Sequence, residues 1–142
     1  MPHTITLKPQ IELGVVPTHL RFVGGLVPDD HGKLPRNAEG EIAVVAGVRD
    51  LVGQSPVRFS SVQVSLFPGT LPEELDFMVP GLKDLGLDVD FVLMVGGVNP
   101  MDPQDEDGVV AQLLPLLQAA VRHGARHVSS TSIEEWMSSE AP

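Results

Sequence analysis

The sequence predicts a single α/β domain over residues 1–142, in which a parallel sheet of four strands alternates with helices. Two long segments carry helix start and stop signals, and the segments that flank them are rich in Val, Phe, Ser and Thr, which favour strands. Strands that alternate with long helices are joined by right-handed crossovers and form parallel sheets. The predicted element order is therefore β-α-β-α-β-α-β.

The N-terminal third supplies the first strand and the first helix. Residues 10–23, "QIELGVVPTHLRFV", are predicted as a strand, and a Gly/Pro-rich loop of about a dozen residues follows, long enough to suggest a function. The next helix is expected to be capped by Asn37 and ended by Gly53. Its β-branched residues and Gly47 leave a short strand as the alternative.

The middle of the chain predicts a strand, a helix and a second strand. Residues 57–67 are the first of these strands, and residues 87–95 are the other. Between them Thr70 and Glu73 have the spacing of a capping box, and Gly86 marks the helix end. An apolar stripe at helical spacing lies between these signals: Leu71, Leu75, Met78, Leu82 and Leu85.

The last helix has the strongest start and stop signals. Asp102 is a good cap, Pro103 suits the first helical position, and Gly124 suits a left-handed C-terminal cap. Pro115 should bend the helix because it removes a backbone donor. A broad apolar face is predicted from Val109, Val110, Leu113, Leu114, Leu116, Leu117 and Val121.

The end of the sequence predicts one more strand and the start of a helix. Residues 125–132 read as the fourth strand, and residues 133–139, "IEEWMSS", begin a further helix. This completes four strand-helix units.

Composition excludes several classes of function. The formal net charge is −10, and the nine Lys and Arg residues are scattered, so neither nucleic acid nor an anionic membrane surface is expected as a partner. The apolar runs are too short to cross a bilayer. The chain has no cysteine, and its first ten residues lack the pattern of a secretory signal, which favours a cytoplasmic location.

With these segments in view, the chain resembles the N-terminal half of the xylose isomerase-like TIM barrels, a superfamily of sugar isomerases and epimerases. The resemblance covers residues 11–136. Its first strand matches "IELGVVPTHL", and the stretch from "FSSVQVSLF" to "FVLMVGG" matches the second strand, second helix and third strand. The segment from "NPMDPQDED" to "ARHVSS" matches the third helix and the fourth strand. The second strand departs from the family in one respect, because Gln63 stands where the family often has a carboxylate. The resemblance implies a parallel (βα)4 half barrel of TIM-barrel type.

The resemblance also implies that the chemistry lies elsewhere. Eight strand-helix units take about 250 residues, and this chain supplies four. In the family the metal ligands and catalytic glutamates come mostly from strands five to eight. We therefore assign no catalytic or metal-binding residue, and expect Mn²⁺ or Mg²⁺ only together with a completing half. The chain alone is expected not to isomerise or epimerise sugars.

Substrate-binding candidates come from the carboxyl ends of the predicted strands, where parallel barrels bind their ligands. Glycines there allow a ligand to approach the backbone, an amide or a hydroxyl can bond a sugar or small polyol, and imidazole titrates near neutral pH. Turn and capping chemistry explains the same residues without a ligand. The candidates are His19, Gly96, Gly97, Asn99, Ser130 and Thr131.

Three hypotheses stay open at this point. The chain is half of a sugar isomerase/epimerase barrel, truncated or completed by another chain, or it is a non-catalytic binding or scaffold subunit. The third is an open flavodoxin-like sheet, which strand order would distinguish. A half barrel has open edges and is expected to expose an apolar interior, so a homo-oligomer or a second barrel-half chain is the expected partner.

Overall fold

The computed structural model of the protein describes residues 12–17 and 25–130. Within them the chain forms four strands and three helices, two of which are preceded by a short 3₁₀ turn. In chain order they are β1 (Gly14–Val15), α1 (Ala43–Gln54), β2 (Ser61–Leu66), a 3₁₀ turn (Pro72–Glu74), α2 (Leu75–Lys83), β3 (Asp88–Leu93), a 3₁₀ turn (Pro103–Asp105), α3 (Glu106–Arg122) and β4 (Val128–Ser130).

The sheet confirms the predicted α/β class. All three strand pairings are parallel, and the spatial order β1-β2-β3-β4 follows the order along the chain. The longest ladder joins β2 to β3, in which Val64 is aligned with Phe91. The predicted first strand is represented by two residues, and the rest of residues 10–23 lies largely outside the described part. The same holds for the predicted helix at 133–139.

One continuous core lies between the sheet and the helices. Alternate residues of β2 and β3 point into it, as the two-residue period of a strand requires. They are Val62, Val64, Leu66, Val89, Phe91 and Leu93. The helices contribute short apolar faces, of which Val45 on α1 and Met78 on α2 are almost fully buried. Leu116 and Ala120 are the corresponding residues of α3.

The opposite face of β2 and β3 is largely polar. Ser61, Gln63 and Ser65 alternate with the core residues of β2, and Asp88, Asp90 and Val92 do so on β3. Gln63 and Asp90 are directly aligned across the ladder. The expectation of an exposed apolar inner face is therefore wrong for these two strands.

Helix α1 confirms the predicted helix over the short-strand alternative, but it begins five residues later than a cap at Asn37 predicts. Asn37 does not cap it. Its Oδ1 accepts hydrogen bonds from the backbone N–H groups of Glu39 and Glu41 at 3.1 and 2.9 Å, which closes a turn instead. Arg36 then pairs with Ile42 in an isolated antiparallel bridge, and the helix starts at Ala43. It ends at Gln54, one residue beyond Gly53.

Of the N-terminal caps predicted for the other two helices, one is absent and one is confirmed. The predicted capping box is not formed, because Thr70 Oγ1 donates to the Phe67 carbonyl at 2.8 Å and the helical turn begins at Pro72. Asp102 is confirmed as a cap, since its side chain accepts from the Gln104 N–H at 2.9 Å. Gly124 has a φ of 75°, as a left-handed C-terminal cap requires.

Candidate functional site

The loop from β3 to α3 is built by short side-chain-to-backbone hydrogen bonds. The Asn99 N–H donates to Asp105 Oδ2 at 2.7 Å, and Asn99 Oδ1 accepts from the Met101 N–H at 2.9 Å. Gly97 has a φ of 69°, a conformation that side chains disfavour. The loop is thus folded by its own turn chemistry and leads directly into the Asp102 cap.

Gly96 is held by a residue that the sequence did not single out. Its N–H donates to Gln112 Oε1 at 3.0 Å, and its carbonyl accepts from Gln112 Nε2 at 2.8 Å. A Cβ added at Gly96 would lie 3.4 Å from Cγ of Pro68, in the loop after β2. The Gln112 side chain therefore fixes the backbone of this loop onto α3, and a side chain at Gly96 would be in close contact with the loop after β2.

The structure brings four of the six substrate-binding candidates to one edge of the sheet. Gly96, Gly97 and Asn99 share the loop after β3, and Ser130 at the end of β4 donates to the Leu93 carbonyl at 2.7 Å. His19 and Thr131 lie outside the described residues. Among residues 12–17 and 25–130 no group of three His, Asp or Glu side chains is arranged to hold a metal ion.

A partly buried ion pair joins the long loop before α1 to the 3₁₀ turn that precedes α2. The Arg36 guanidinium donates to both carboxylate oxygens of Glu74, with Nη1–Oε1 at 3.1 Å and Nη2–Oε2 at 2.7 Å. The Glu74 side chain is 4% exposed, whereas that of Arg36 is 30% exposed. Hydrogen bonding to Glu74 raises the pKa of Arg36 above its usual range. Arg36 also lies over the Phe77 ring, 5.7 Å from its centroid.

The outward face of α3 is apolar and carries no charge. From residue 108 to residue 121 the helix has no Asp, Glu, Lys or Arg. Seven residues of that stretch are exposed, and Gln118 alone among them has a polar side chain. They are Val110, Ala111, Leu114, Pro115, Leu117, Gln118 and Val121. Only part of the broad apolar face predicted for this helix is therefore buried in the core.

We call the side chains of Val110, Leu114, Leu117 and Val121 the α3 stripe. They are 48%, 45%, 39% and 65% exposed, respectively. Helix α3 contacts α2 through His123, whose ring pairs with Asp76 and whose carbonyl accepts from Lys83 Nζ at 2.6 Å. At 100° per residue the stripe lies on average about 150° around the helix from His123. The α3 stripe therefore faces away from α2.

A groove of about 310 Å³ extends the α3 stripe toward the β3–α3 loop. Met101, which is 68% exposed, forms part of its wall. The groove is lined by Pro100, Met101, Asp102, Pro103, Glu106, Val109 and Val110. The loop that carries three of the substrate-binding candidates is therefore continuous with the apolar face that the sequence predicts for this helix.

Comparisons with protein-family models, with curated proteins and with solved structures find no match to this chain. Within the described residues, no helix is both long and apolar enough to span a bilayer. The case for a function consequently depends on the geometry of the chain itself.

Proposed function

We propose that the protein is a non-catalytic binding subunit, built as a half barrel, which contacts a protein partner through the outward face of α3. The observation that carries the proposal is the exposed α3 stripe together with the absence of charge from residue 108 to residue 121. Surface helices normally carry charged residues on the side that faces water. A helix that is apolar nearly all round is one that is covered on both sides.

Covering the α3 stripe would contribute a substantial hydrophobic free energy to binding. Full burial of a Val or Leu side chain is worth roughly 1.5–3 kcal/mol, and the four stripe residues are each about half exposed. Covering them would contribute about 4 kcal/mol before the cost of association. The apolar residues that line the adjoining groove, Pro100, Met101, Pro103 and Val109, add to this apolar area.

Strand order supports the half-barrel part of the proposal. A flavodoxin-like sheet reverses its direction once, with the order 2-1-3-4-5, whereas this sheet runs β1-β2-β3-β4 without reversal. Successive right-handed crossovers in one direction place every helix on the same side of the sheet. This is the arrangement of consecutive units in a (βα)8 barrel.

Site-specific cross-linking in cells tests the binding function. A photoreactive amino acid replaces Leu117 on the stripe or, as a control, Gln54, which is exposed at the end of α1. We expect one discrete protein adduct from position 117 and none from position 54. The added change Val110→Glu should abolish the adduct, because it places a charge on the same surface. No adduct at position 117, or one insensitive to Val110→Glu, would contradict the proposal.

A second candidate is the sugar isomerase/epimerase half barrel, completed by another chain and inactive alone. The polar inner face favours it, because Gln63 and the aligned Asp90 would point into a completed barrel, as polar groups around a sugar ligand would. Calorimetric titration with Mn²⁺ and an assay on ketoses test it. We expect neither tight metal binding nor turnover by the isolated chain. One tightly bound Mn²⁺ per chain with turnover would show that this half carries the chemistry itself.

A further inference from the structure

We infer that the partner is a second copy of this chain, with the two α3 helices packed antiparallel across a two-fold axis. This inference rests on the proposed binding function and names its partner. It is carried by the self-complementarity of the α3 stripe, by the distribution of charge along α3, and by the side of the helix on which the stripe lies.

The spacing of the stripe fits an antiparallel pair. Its residues are separated by four, three and four positions, which is the spacing that keeps one seam of a helix facing a partner helix. In an antiparallel pair centred between Leu114 and Leu117, each Leu114 faces Leu117 of the other copy. Each Val110 then faces the other Val121. All four side chains are matched by apolar side chains of similar size, as an isologous interface requires.

Charge favours the same arrangement. Glu106 and Asp107 lie in the first turn of α3, and Arg122 lies in the last turn. Antiparallel packing places the acidic end of each helix beside the basic end of the other, and it also opposes the two helix dipoles favourably. Each chain has a net charge of −10, so two copies repel over most of their surface. The uncharged face of α3 is where they can approach at the lowest electrostatic cost.

Position in the fold makes this face accessible. The stripe is turned away from α2, and its side chains are 39–65% exposed. The groove that begins at Val110 and runs to Met101 extends the contact beyond the ends of the helix pair. A second molecule can therefore dock along the whole length of α3.

Sedimentation velocity on the purified full chain tests the inference, from about 1 to about 200 µM, a range that covers micromolar dissociation constants. We expect a dimer of twice the 15.2 kDa chain mass. The double variant Leu114→Glu/Leu117→Glu should weaken dimerisation at least about 100-fold, because it buries four uncompensated charges. Phe77→Glu is the control: it introduces one glutamate at a 66% exposed apolar residue of α2 and should leave the dimer intact.

A charge swap tests the antiparallel orientation. Asp107→Arg should weaken the dimer about tenfold, because it places Arg beside Arg122 of the other copy, and the double swap Asp107→Arg/Arg122→Glu should restore most of the affinity. Circular dichroism of each variant separates a lost interface from a lost fold.

Three outcomes would overturn the inference. They are a monomer at every concentration, a dimer unaffected by the Leu114/Leu117 change, and a double swap that restores nothing. A monomer would overturn it whether the stripe is then covered by residues 131–142 or by a different protein. The cross-linking result at position 117 separates this failure from a failure of the binding function, since an adduct with another protein leaves that function standing.

Discussion

Glu74 is a buried carboxylate whose charge is balanced by one side chain. Burial of an ionised carboxylate without a partner is costly, so such a group requires hydrogen bonds from a cation or from the backbone. Arg36 supplies two of them, across 38 positions of sequence. No local pattern in the sequence indicates such a pair, because Glu74 stands beside Glu73 at a helix start, where acids are common for other reasons.

We predict that Glu74→Gln destabilises the fold by about 2 kcal/mol, since hydrogen bonds to charged groups are worth about 1.5–3 kcal/mol and the partly exposed Arg36 recovers some hydration. Urea unfolding measures the effect. Glu41→Gln is the control, because it breaks the exposed pair with Arg49 and should have a clearly smaller effect. Equal losses from the two variants would mean that burial of Glu74 has no energetic consequence.

Asp29 makes stability depend on acid pH in a defined direction. Backbone N–H groups of Lys33 and His31 donate to its carboxylate and lower its pKa below the ordinary value. A lowered pKa in the folded state means that the ionised form stabilises the fold. This contribution is present above the unfolded-state pKa, near 4, and is lost as the pH falls through the folded-state pKa.

The measurement compares wild type with Asp29→Asn by urea unfolding as a function of pH. Asparagine keeps an acceptor oxygen but removes the charge, so wild type should be the more stable protein at neutral pH. The difference should shrink as Asp29 becomes protonated, and the NMR titration midpoint of its carboxyl should lie below that of an unfolded reference. If the difference in stability between the two proteins stayed constant with pH, the substitution would act through side-chain geometry and not through charge.

At the scale of the element, two glycines in helices have opposite expected effects when replaced. Gly81 of α2 faces α1, where an added Cβ would meet Val45 Cγ1 at 2.8 Å, and Val45 is buried. At Gly53, near the end of α1, an added Cβ would meet no described residue within 4 Å, its chain neighbours and the helix's own backbone aside. Gly81 is therefore required by the packing of α2 against α1. Gly53 lowers helix stability without a packing benefit.

We therefore predict that Gly53→Ala stabilises the protein by about 0.5 kcal/mol, through higher helix propensity and a less flexible unfolded chain. Gly81→Ala should destabilise it by about 1 kcal/mol, because overpacking costs about 1–3 kcal/mol and exceeds the propensity gain. Thermal unfolding of the two variants beside wild type measures both. Stabilisation by Gly81→Ala would show that α1 and α2 can separate without cost.

The elements show what the sequence could and could not predict. Local signals were sufficient for the existence of all three helices and for the cap at Asp102. They failed where a cap residue had another available partner: Asn37 closes a turn, and Thr70 bonds back to Phe67. At Asn99 turn chemistry was the alternative to ligand contact, and the structure contains that turn. The role of Gln112 depends on a contact 16 positions away and left no local signal.

At the scale of the whole molecule, the sequence predicted the parallel sheet but not which of its surfaces would be apolar. The half barrel was expected to expose an apolar interior, yet β2 and β3 alternate apolar and polar residues. The excess apolar surface lies on α3 instead. Periodicity alone does not separate an inward from an outward apolar face when a helix carries both, so only the three-dimensional structure distinguishes them.

A protein that uses the outward face of α3 to bind its own copy should melt at a temperature that depends on its concentration. A dimer that unfolds to two separate chains is stabilised by mass action, so a rise from about 2 to about 200 µM adds about 1.4 kcal/mol per chain. For a domain near 150 residues, 1 kcal/mol shifts Tm by about 2–4 °C. We therefore predict a rise of about 4 °C for wild type over that range.

The Leu114→Glu/Leu117→Glu variant should show a Tm that is independent of concentration, because it should melt as a monomer. Phe77→Glu, which adds charge to α2 and leaves the α3 stripe unchanged, should keep the concentration dependence of wild type. Scanning calorimetry at several concentrations distinguishes these cases. A wild-type Tm that does not change with concentration would mean that the apolar face of α3 is covered without the help of a second chain, and the self-association of this protein would have to be abandoned.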